Sequence, residues 1–253
     1  MGVVHPQASG LGGGAFLLAR GPNGRRMSVN AREMAPAGID PSSFLYPNET
    51  RRGGRAVGVP LELAGLYVAW RREGRLPWSQ LVAPAAQLAR SGILASPSLV
   101  LAIRQVWPEL EPESPLARLV AVDEGRRRRP PRVGERCCAR PRLAGLLEEV
   151  ARDGPGALYT GQHAEDLVRE IGSSGGVMTL SDLQLAGSKV LLQEPAADSA
   201  GGFVLLGSPL PASGPLAIFG AKLLASLEGA PSASQALTAQ RTLEARAPAL
   251  PPP

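Results

Sequence analysis

Aromatic residues, histidine and lysine are scarce in this sequence. Aromatics make up 4% of the 253 residues, the two histidines are His5 and His163, and the two lysines are Lys189 and Lys222. The net charge of +5 and the pI near 9.9 therefore come from arginine. Proteins that bind single-stranded nucleic acid usually combine such cations with aromatic rings that stack on bases. The composition is thus a weak argument for nucleic-acid binding.

The scarcity of histidine also limits the catalytic chemistry that the chain can perform. A Ser-His-Asp triad would need His5 or His163, and neither stands in a supporting sequence context; we expect His163 to be a surface residue. We find no zinc-type cluster, Gly-x-Ser-x-Gly elbow or Walker loop. Acidic pairs such as Glu148-Glu149 occur on amphipathic helices, where they usually face water. The residues alone indicate no catalytic group, no metal and no cofactor.

The two cysteines, Cys137 and Cys138, are neighbours in the sequence. Adjacent Cα atoms are about 3.8 Å apart, which is shorter than the usual separation across a disulfide. No spaced disulfide framework or zinc pattern follows from this pair. We expect free or partly buried thiols.

No apolar run reaches the roughly 18 residues that indicate a membrane span. The first residues lack a charged leader and an apolar core, so we expect no secretory signal among them. Met1-Gly2 begins like a myristoylation signal, but Pro6 occupies the position where that signal has Ser or Thr. The triplet Asn48-Glu49-Thr50 is a glycosylation sequon, which matters only in the secretory pathway.

The run Arg126-Arg127-Arg128-Arg129 is a second short motif with two interpretations. It could be a nuclear address or a patch that binds phosphate. Such runs more often lie in self-repelling, solvated loops. We predict a solvated loop, within a poorly ordered insertion over residues 108–136 that shows no sustained periodicity.

Elsewhere the composition is that of a globular chain rich in turns. Hydrophobic residues make up 44% and charged residues 19%, with 30 glycines and 25 prolines. Residues 1–4 suggest the end of a strand, residues 37–56 a loop, and residues 230–253 a disordered Ala- and Pro-rich tail. The apolar periodicity and turn residues predict helices beginning near Pro60, Ser79, Ser98, Pro141, Ala164, Thr179 and Pro215, and a strand over 203–207. Ser79 is a predicted N-cap, and residues 179–182 form a predicted capping box. The predicted inner face of the first helix is Leu63, Leu66, Tyr67 and Trp70, and that of the second is Leu81, Ala85, Leu88 and Ala89.

The stretch from Pro6 to Pro36 is the most informative part of the chain. A glycine-rich bend, Gly10 to Gly14, precedes a predicted hairpin with strands at 15–20 and 25–31. The bend lacks the glycine spacing and the Lys-Ser/Thr pair of phosphate-binding loops. At the far end of the hairpin the sequence places Arg32 and Glu33.

Two interpretations of Arg32 remain open on these residues. A guanidinium at a hairpin end presents a planar fork that matches a carboxylate, and Glu33 could orient it or meet a substrate amine. Alternatively, Arg32 and Glu33 form an ordinary surface ion pair, worth at most about 1 kcal/mol.

The motifs taken together resemble the γ-glutamyltransferase (glutathione hydrolase) family. The run from Val4 to Gly14 is similar to that family's Val-Asn-Pro-x-Ser-Ser-Gly-Ile-Gly-Gly-Gly, and Asn30 to Pro36 resembles its Asn/Asp-x-Arg-Glu-x-Ala-Pro. The resemblance extends over residues 3–229 in the same order, through Val57–Pro60, Gly74–Trp78, Leu88–Gly92, Tyr159–Gly161, Gly175–Thr179, Asp182-Leu183 and Ser208–Pro215.

The resemblance implies an α+β chain with part of an N-terminal-nucleophile hydrolase αββα sandwich, residues 1–229 being most of a large-subunit domain. It implies glutathione or another γ-glutamyl compound as substrate, a small subunit as partner, and no nucleic acid. In this family a small-subunit threonine is the nucleophile, its amine serves as base, and backbone amides of a glycine pair stabilise the oxyanion. Arg32 matches the arginine that binds the substrate α-carboxylate. The family location is the outer face of the plasma membrane, where Asn48 would be a glycosylation site.

The sequence also departs from the family pattern. It contains no match to the Asp-Gly-Gly-Thr motif, Leu61 replaces the usual glycine after Val-Pro, Leu210 interrupts a proline run, and the cysteines do not match the family's spacing. We therefore expect the chain to be inactive alone. The alternatives are a truncated pseudoenzyme or interaction protein without catalysis, and a basic nucleic-acid-binding protein.

Overall fold

The computed structural model describes residues 1–226 except 41, 43, 45, 112 and 126. Contacts divide the chain into two compact units. The first unit comprises Met1–Ala15 and Val29–Leu191, and the second comprises Phe16–Ser28 and the described residues from Leu192 to Ser226. The tail predicted over residues 230–253 lies outside the described residues, and the prediction that 1–229 is one large-subunit domain stays a prediction.

The described part of the chain is mixed helix and strand. Its helices are α1 Glu62–Glu73, α2 Trp78–Ser91, α3 Pro97–Val106, α4 Pro115–Val120, α5 Pro141–Asp153, α6 Gly156–Tyr159, α7 Gly161–Ser173, α8 Leu180–Gln184, α9 Ala186–Lys189 and α10 Gly214–Ser226. Its strands are β1 Ala15–Arg20, β2 Arg26–Ala31, β3 Ile93–Leu94, β4 Val122–Asp123, β5 Arg128–Arg129, β6 Arg136–Cys137, β7 Leu191–Gln193, β8 Ala196–Ala200 and β9 Phe203–Gly207. Single 3₁₀ turns occur at Pro47–Thr50, Gly54–Ala56 and Trp107–Glu109.

Helices α2 and α5 pack along each other and form the centre of the first unit. Both bury apolar residues at helical spacing, most of them small or β-branched: Val82, Ala86 and Ala89 on α2, and Ala144, Leu147 and Val150 on α5. The indole N–H of Trp78 donates to the carbonyl of Val150 at 2.8 Å. Small side chains let the two helix axes approach closely, which explains why alanines lie at the centre of the contact.

The predicted inward face of α2 was partly wrong. Leu81 and Leu88 were expected inside, but they are 48% and 41% exposed, whereas Val82 and Ala86 are buried. The predicted cap Ser79 lies inside the helix, which begins after Pro77. The apolar spacing predicted that the larger leucines would face the core. The close contact between α2 and α5 instead buries the smaller residues, which lie one position further along the chain.

Helix α1 lies against the end of β2 through Gly65. A Cβ at Gly65 would collide with the Cβ of Ala31, so glycine is what permits this approach. Leu63 and Ala64 are buried, but Leu66, which the sequence predicted on the inner face, is 39% exposed. The glycine contact turns the helix so that residues 63–65 face the core.

Residues 1–4 form turns and not the end of a strand, so that prediction was wrong. The carbonyl of Met1 accepts hydrogen bonds from the backbone N–H groups of Val4 and His5, both at 2.9 Å. Without a neighbouring strand the backbone satisfies its own polar groups in this way. The guanidinium of Arg140 holds the turn by donating to the carbonyl of Val3 at 2.6 Å.

The range 108–136 contains α4, β4 and β5, all short elements. Arg128 pairs with Glu113 at 2.7 Å, and Arg129 pairs with Glu124 at 2.6 Å and with Glu135 at 2.8 Å. Charge pairs connect these elements, and α4 also buries Ala117 and Val120. The shortness of α4, β4 and β5 explains why the range shows no sustained apolar periodicity in the sequence.

In the second unit, α10 packs on the hairpin of β8 and β9. The predicted strand 203–207 is confirmed as β9, with the turn at Gly201 and Gly202 in positive φ. Strand β8 was not predicted, because its sequence of Ala, Asp and Ser lacks β-branched and aromatic residues. The sheet of β1, β2 and β7 has the strand order β1-β2-β7.

The predicted hairpin is confirmed with a boundary shift of one residue, since β2 begins at Arg26. Its turn closes through the N–H of Gly21, which donates to the carbonyl of Arg25 at 2.8 Å. Among the described helices, none combines the length and the apolar character needed to cross a bilayer.

Candidate functional site

Arg32 lies directly after β2 and points its guanidinium toward solvent. Its side chain is 61% exposed, and its Nε is 2.8 Å from Oε1 of Glu33, which is 36% exposed. The backbone N–H of Arg32 donates to the side-chain oxygen of Asn30 at 3.1 Å. The strand end therefore fixes the backbone at Arg32, and Glu33 holds one edge of the guanidinium.

Glu33 is held in place by two glycines. A Cβ at Gly14 would collide with the backbone nitrogen and the carboxylate Oε2 of Glu33. A Cβ at Gly58 would lie 3.4 Å from Cβ and Cγ of Glu33, and 3.3 Å from the carbonyl oxygen of Met34. Any larger residue at Gly14 would displace Glu33. These two glycines thus determine where the partner of Arg32 lies.

Two further connections hold the segment that follows Arg32. Met34 and Val59 form an antiparallel bridge, in which the N–H of Val59 donates to the carbonyl of Met34 at 2.7 Å. The N–H of Ala37 donates to the carboxylate of Asp182 at 3.0 Å. Asp182 also completes the predicted capping box with Thr179 at the start of α8, which is confirmed. One carboxylate thus connects α8 to the candidate site.

The glycine-rich bend is fixed to the start of α1. The carbonyl of Gly13 accepts hydrogen bonds from the N–H groups of Leu61 and Glu62, both at 3.0 Å. These N–H groups belong to the unsatisfied first turn of the helix, so the bend acts as a backbone cap. The hydroxyl of Ser9 donates to the carboxylate of Glu62 at 3.4 Å. The bend therefore sets the position of Gly14 beneath Glu33.

The arrangement leaves Arg32 able to bind an anion. Within the described part of the chain, its side chain makes no hydrogen bond or ion pair to a residue other than Glu33. A guanidinium held at Nε keeps the edge formed by its two terminal nitrogens for a planar, bidentate partner. Carboxylates and phosphates both match the geometry of this edge. Arg32 can therefore form the ion pair with Glu33 and bind a carboxylate at the same time, so the two interpretations from the sequence are compatible.

The other candidates do not gather at Arg32. His163 on α7 lies 3.2 Å from the carboxylate of Glu149 on α5 and is partly exposed, in agreement with the predicted surface position. Asn48 lies in the short 3₁₀ turn Pro47–Thr50. No group of three or more His, Cys, Asp or Glu side chains suited to a metal occurs among the residues that the structure describes.

The arginine run is largely neutralised where it is described. Arg128 and Arg129 belong to β5 and form ion pairs with acidic side chains, and Arg126 lies outside the described residues. The carboxylate of Glu135 accepts from both terminal nitrogens of Arg129, and this guanidinium lowers the pKa of Glu135 to about 2. Guanidinium groups engaged in this way are poorly available to phosphates, so the nucleic-acid alternative gains no support.

The cysteines are free, as predicted, and both are buried. Their Sγ atoms lie 2.8 Å apart. Burial raises the pKa of the Cys138 thiol to about 12 and also raises the pKa of Cys137.

Comparison with known proteins decides the family. The family model described as gamma-glutamyltranspeptidase matches residues 1–250 of this chain. The chain belongs to that family. It is 38% identical to glutathione hydrolase 2 of Arabidopsis thaliana over 217 residues, which cover 85% of this chain and 36% of the relative. It is 32% identical to the glutathione hydrolase proenzyme of Escherichia coli over 220 residues, which cover 85% of this chain and 37% of that protein.

A solved structure supports the same assignment. The gamma-glutamyltranspeptidase from Pseudomonas nitroreducens, in complex with L-DON, superposes with a TM-score of 0.74 at 26% identity, covering 99% of this chain and 69% of that chain. The predicted fold class, α+β with the N-terminal-nucleophile hydrolase fold of this family, is confirmed. The chain spans about a third of the length of the curated relatives it matches.

Sequence reasoning identified Arg32 and Glu33 but missed the residues that position them. The sequence offered one indication of Gly14 and Gly58, since both are glycines within motifs that resemble those of the family. The bond from Asp182 to Ala37 joins residues 145 positions apart, and no local pattern reports such a contact.

Proposed function

We propose that this chain forms the substrate-binding part of an enzyme that hydrolyses or transfers γ-glutamyl groups, with Arg32 binding the α-carboxylate of the γ-glutamyl substrate. The observation that carries the proposal is the exposed guanidinium of Arg32, held at its Nε by Glu33. Family membership supports it, since relatives bear the name glutathione hydrolase. Glutathione or a related γ-glutamyl compound is the proposed substrate.

Arg32 binds and orients the substrate in this proposal, and it does not take part in bond breaking. Two parallel hydrogen bonds from its terminal nitrogens fix both the position and the plane of the α-carboxylate. A lysine would retain the charge but would lose the fork. Fixing the carboxylate restricts the positions that the γ-carbonyl can take, so that a nucleophile can be aligned with it.

The nucleophile in the proposed reaction is the threonine of a small-subunit portion, as the family resemblance implies. Its hydroxyl attacks the γ-carbonyl carbon, its free amine accepts the proton, and backbone N–H groups stabilise the oxyanion. The residues of this chain contribute the substrate pocket. Since none of the 253 residues matches the family's threonine motif, we expect the chain alone to be inactive.

The surface of the second unit supports a small-subunit partner. Helix α10 is apolar around much of its circumference, yet Ile218 is its one buried residue among those described. The large apolar side chains exposed on α10 and on β9 are Phe203, Val204, Leu216, Phe219, Leu223 and Leu224. Exposed apolar side chains in such numbers are typical of interaction surfaces. We propose that the small-subunit portion covers them.

Location at the outer face of the plasma membrane is part of the same proposal. It is supported by the family resemblance and by the sequon at Asn48, which would then carry a glycan. An amide-cleaving glycosidase should increase the electrophoretic mobility of the natural protein. The variant Asn48→Gln should migrate like the deglycosylated form, and equal mobility with and without the glycosidase would contradict this part.

Activity measurements with a small subunit test the proposal. The purified chain should not hydrolyse a chromogenic γ-glutamyl amide, and mixing with a family small subunit should produce hydrolysis. Arg32→Ala should then lower kcat/KM about 10- to 100-fold, as expected for losing hydrogen bonds to a charged group.

The matched control is Arg26→Ala, which removes an exposed arginine at the other end of β2 and should change kcat/KM by less than about twofold. Hydrolysis by the chain alone would contradict the assignment of the nucleophile to the small-subunit portion. Equal activity of Arg32→Ala and the unmodified chain would contradict the role of Arg32. A correctly assembled but inactive mixture would favour the non-catalytic alternative.

A further inference from the structure

We propose that Cys137 and Cys138 form a redox-active vicinal dithiol, which low-molecular-weight disulfides oxidise to a disulfide between the two neighbouring residues. The Sγ atoms lie 2.8 Å apart, in direct contact. Both thiols are free, and the residues are only 7% and 4% exposed. The proposal concerns a site remote in sequence from Arg32 and does not depend on the proposed function.

The backbone at the pair is unusual. Cys138 has a φ of 61°, and it is the one residue other than glycine with positive φ among those the structure describes. A residue with a Cβ rarely adopts this left-handed conformation, and such outliers cluster at functional sites. Here the conformation accompanies the close approach of the two sulfurs.

The surrounding elements hold the pair in this conformation. Cys137 pairs with Ile93 in the ladder of β3 and β6. Gly92 has a φ of 77°, and a Cβ there would lie 2.6 Å from the carbonyl oxygen of Cys137. The N–H of Arg140 donates to the carbonyl of Ala89 at the end of α2, at 2.6 Å. The sulfurs are therefore brought together by contacts on both sides of the dipeptide.

The environment favours a neutral disulfide over a metal thiolate. Metal ligation requires deprotonated thiols. Burial of these thiols raises both pKa values, so the charged form is disfavoured. A third ligand for a metal is also lacking among the described residues. A disulfide carries no charge and loses two polar S–H groups on formation, which suits a buried site.

The oxidation is a two-step thiol–disulfide exchange. When local opening exposes the pair to water, one cysteine loses its proton, and its thiolate attacks a sulfur of the small disulfide, forms a mixed disulfide and releases one small thiol. The sulfur of the second cysteine then attacks the cysteine side of that mixed disulfide and releases the second small thiol. The two cysteines lose two electrons, which reduce the small disulfide, and their two protons leave on the released thiols.

The product should be readily reduced. Neighbouring residues close a small ring, and the Cα separation of about 3.8 Å is shorter than a relaxed disulfide prefers. Strained disulfides have more oxidising potentials and behave as labile or regulatory bonds. Since β3 and β6 have two residues each, local opening can admit the reagent without unfolding the whole unit.

Mass spectrometry after equilibration with 2-hydroxyethyl disulfide tests the proposal. Samples of the full chain are quenched in acid, denatured and alkylated. The oxidised chain should be lighter by two hydrogen atoms, should accept no alkyl group, and should yield one peptide containing both cysteines. Cys137→Ser and Cys138→Ser should instead accept one alkyl group or retain one mixed disulfide, and neither should lose the two hydrogens.

Comparison with a peptide of residues 131–143 separates a property of the fold from that of any Cys-Cys sequence. Because the fold holds the sulfurs together, the ratio of disulfide to dithiol at a fixed poise should be about tenfold higher in the folded chain than in the peptide. The reaction is also run during refolding of the reduced chain, so that slow access cannot hide it. Any one of three results would overturn the proposal. These are two alkylatable thiols after both procedures, disulfides that form only between chains, and a ratio of disulfide to dithiol no higher than that of the peptide.

Discussion

Glu33 lies over the backbone of Gly14, and this contact connects the glycine-rich bend to the guanidinium of Arg32. The bend is itself fixed, because the carbonyl of Gly13 receives hydrogen bonds from the first turn of α1. A side chain at Gly14 would have to occupy the volume of the nitrogen and carboxylate of Glu33. The position of the Arg32 guanidinium therefore depends on Gly14 through Glu33.

Gly14→Ala should destabilise the chain and disturb the site. The added methyl meets backbone atoms, which cannot move aside cheaply, so we expect a loss of about 1–3 kcal/mol in the free energy of unfolding. Gly12→Ala is the matched control, since a Cβ there meets nothing within 4 Å, and its effect should stay within about 0.5 kcal/mol. Urea denaturation of both variants measures this difference, and equal midpoints would contradict the proposed contact.

For the candidate site, the sequence predicted the types of the residues but not their contacts. Arg32 and Glu33 could be singled out because a charged pair follows a hairpin and matches a family motif. The fit of Glu33 against Gly14 and Gly58 could not be predicted, because both glycines are distant from Glu33 in the sequence. A glycine also has no side chain whose chemistry would indicate the contact.

Charge pairs stabilise the elements between α4 and β6. The carboxylate of Glu135 receives two hydrogen bonds from Arg129 at 2.8 Å and one from the N–H of Arg132 at 2.8 Å. These contacts, chiefly the one to Arg129, lower the pKa of Glu135 from 4.5 to about 2. They act on strands of two residues each.

Stability of this region should therefore fall in acid. Because the pKa of Glu135 is lowered in the folded chain, its contribution is present above about pH 4.5 and is lost as the pH falls toward about 2. Glu135→Gln should remove this part of the pH dependence. Hydrogen exchange of β4 and β5 between these pH values measures it.

Glu109→Gln is the control, because the ion pair of Glu109 with Arg52 is long, at 3.4 Å, and exposed on both sides. It should leave the acid dependence of exchange in β4 and β5 unchanged. An identical pH profile for Glu135→Gln and the unmodified chain would contradict the role assigned to Arg129 and Glu135.

Helices were easier to predict than the faces they bury. Proline, serine and glycine marked the bounds of α3 and α5 to within one or two residues, since caps and breakers act locally. The inner face of α2 was misassigned because helix packing selects small residues, and size complementarity with α5 is a tertiary property. Strand β8 was missed since its residues have low strand propensity and the hairpin with β9 holds it in place.

The whole molecule presents apolar surface that its own described elements leave exposed. Phe219, Leu216 and Leu223 on α10 are each more than half exposed, at 67%, 68% and 54%. Soluble chains seldom leave such side chains together in water. This surface fits a chain that shares its core with a partner, which is the arrangement that the family resemblance implies.

Phe219→Asp should weaken assembly with a family small subunit by about tenfold or more, because a charge would be buried in an apolar contact. Leu101→Asp is the matched control: Leu101 is 60% exposed on α3 in the other unit, and the change should alter affinity by less than about twofold. Co-purification and calorimetric titration measure both variants. Equal loss in both, or in neither, would contradict the assignment of this surface.

The family and the fold of the whole chain were predictable, because many short motifs occur in the same order as in the family. Chance seldom produces such an ordered set. The division into two units was not predicted. Strand β2 crosses the boundary between them, and a continuous strand gives no break in the sequence.

Varying Arg32 and the substrate together tests directly whether Arg32 binds the α-carboxylate. With a small subunit present, hydrolysis of a γ-glutamyl amide is compared with that of the corresponding γ-aminobutyryl amide, which lacks only the α-carboxylate. The unmodified chain should lose about 10- to 100-fold in kcat/KM when the carboxylate is removed. Arg32→Ala should be slow with both substrates and nearly indifferent to the carboxylate, with Arg26→Ala behaving like the unmodified chain. A carboxylate preference that persists undiminished in Arg32→Ala would contradict the proposal that Arg32 binds the α-carboxylate.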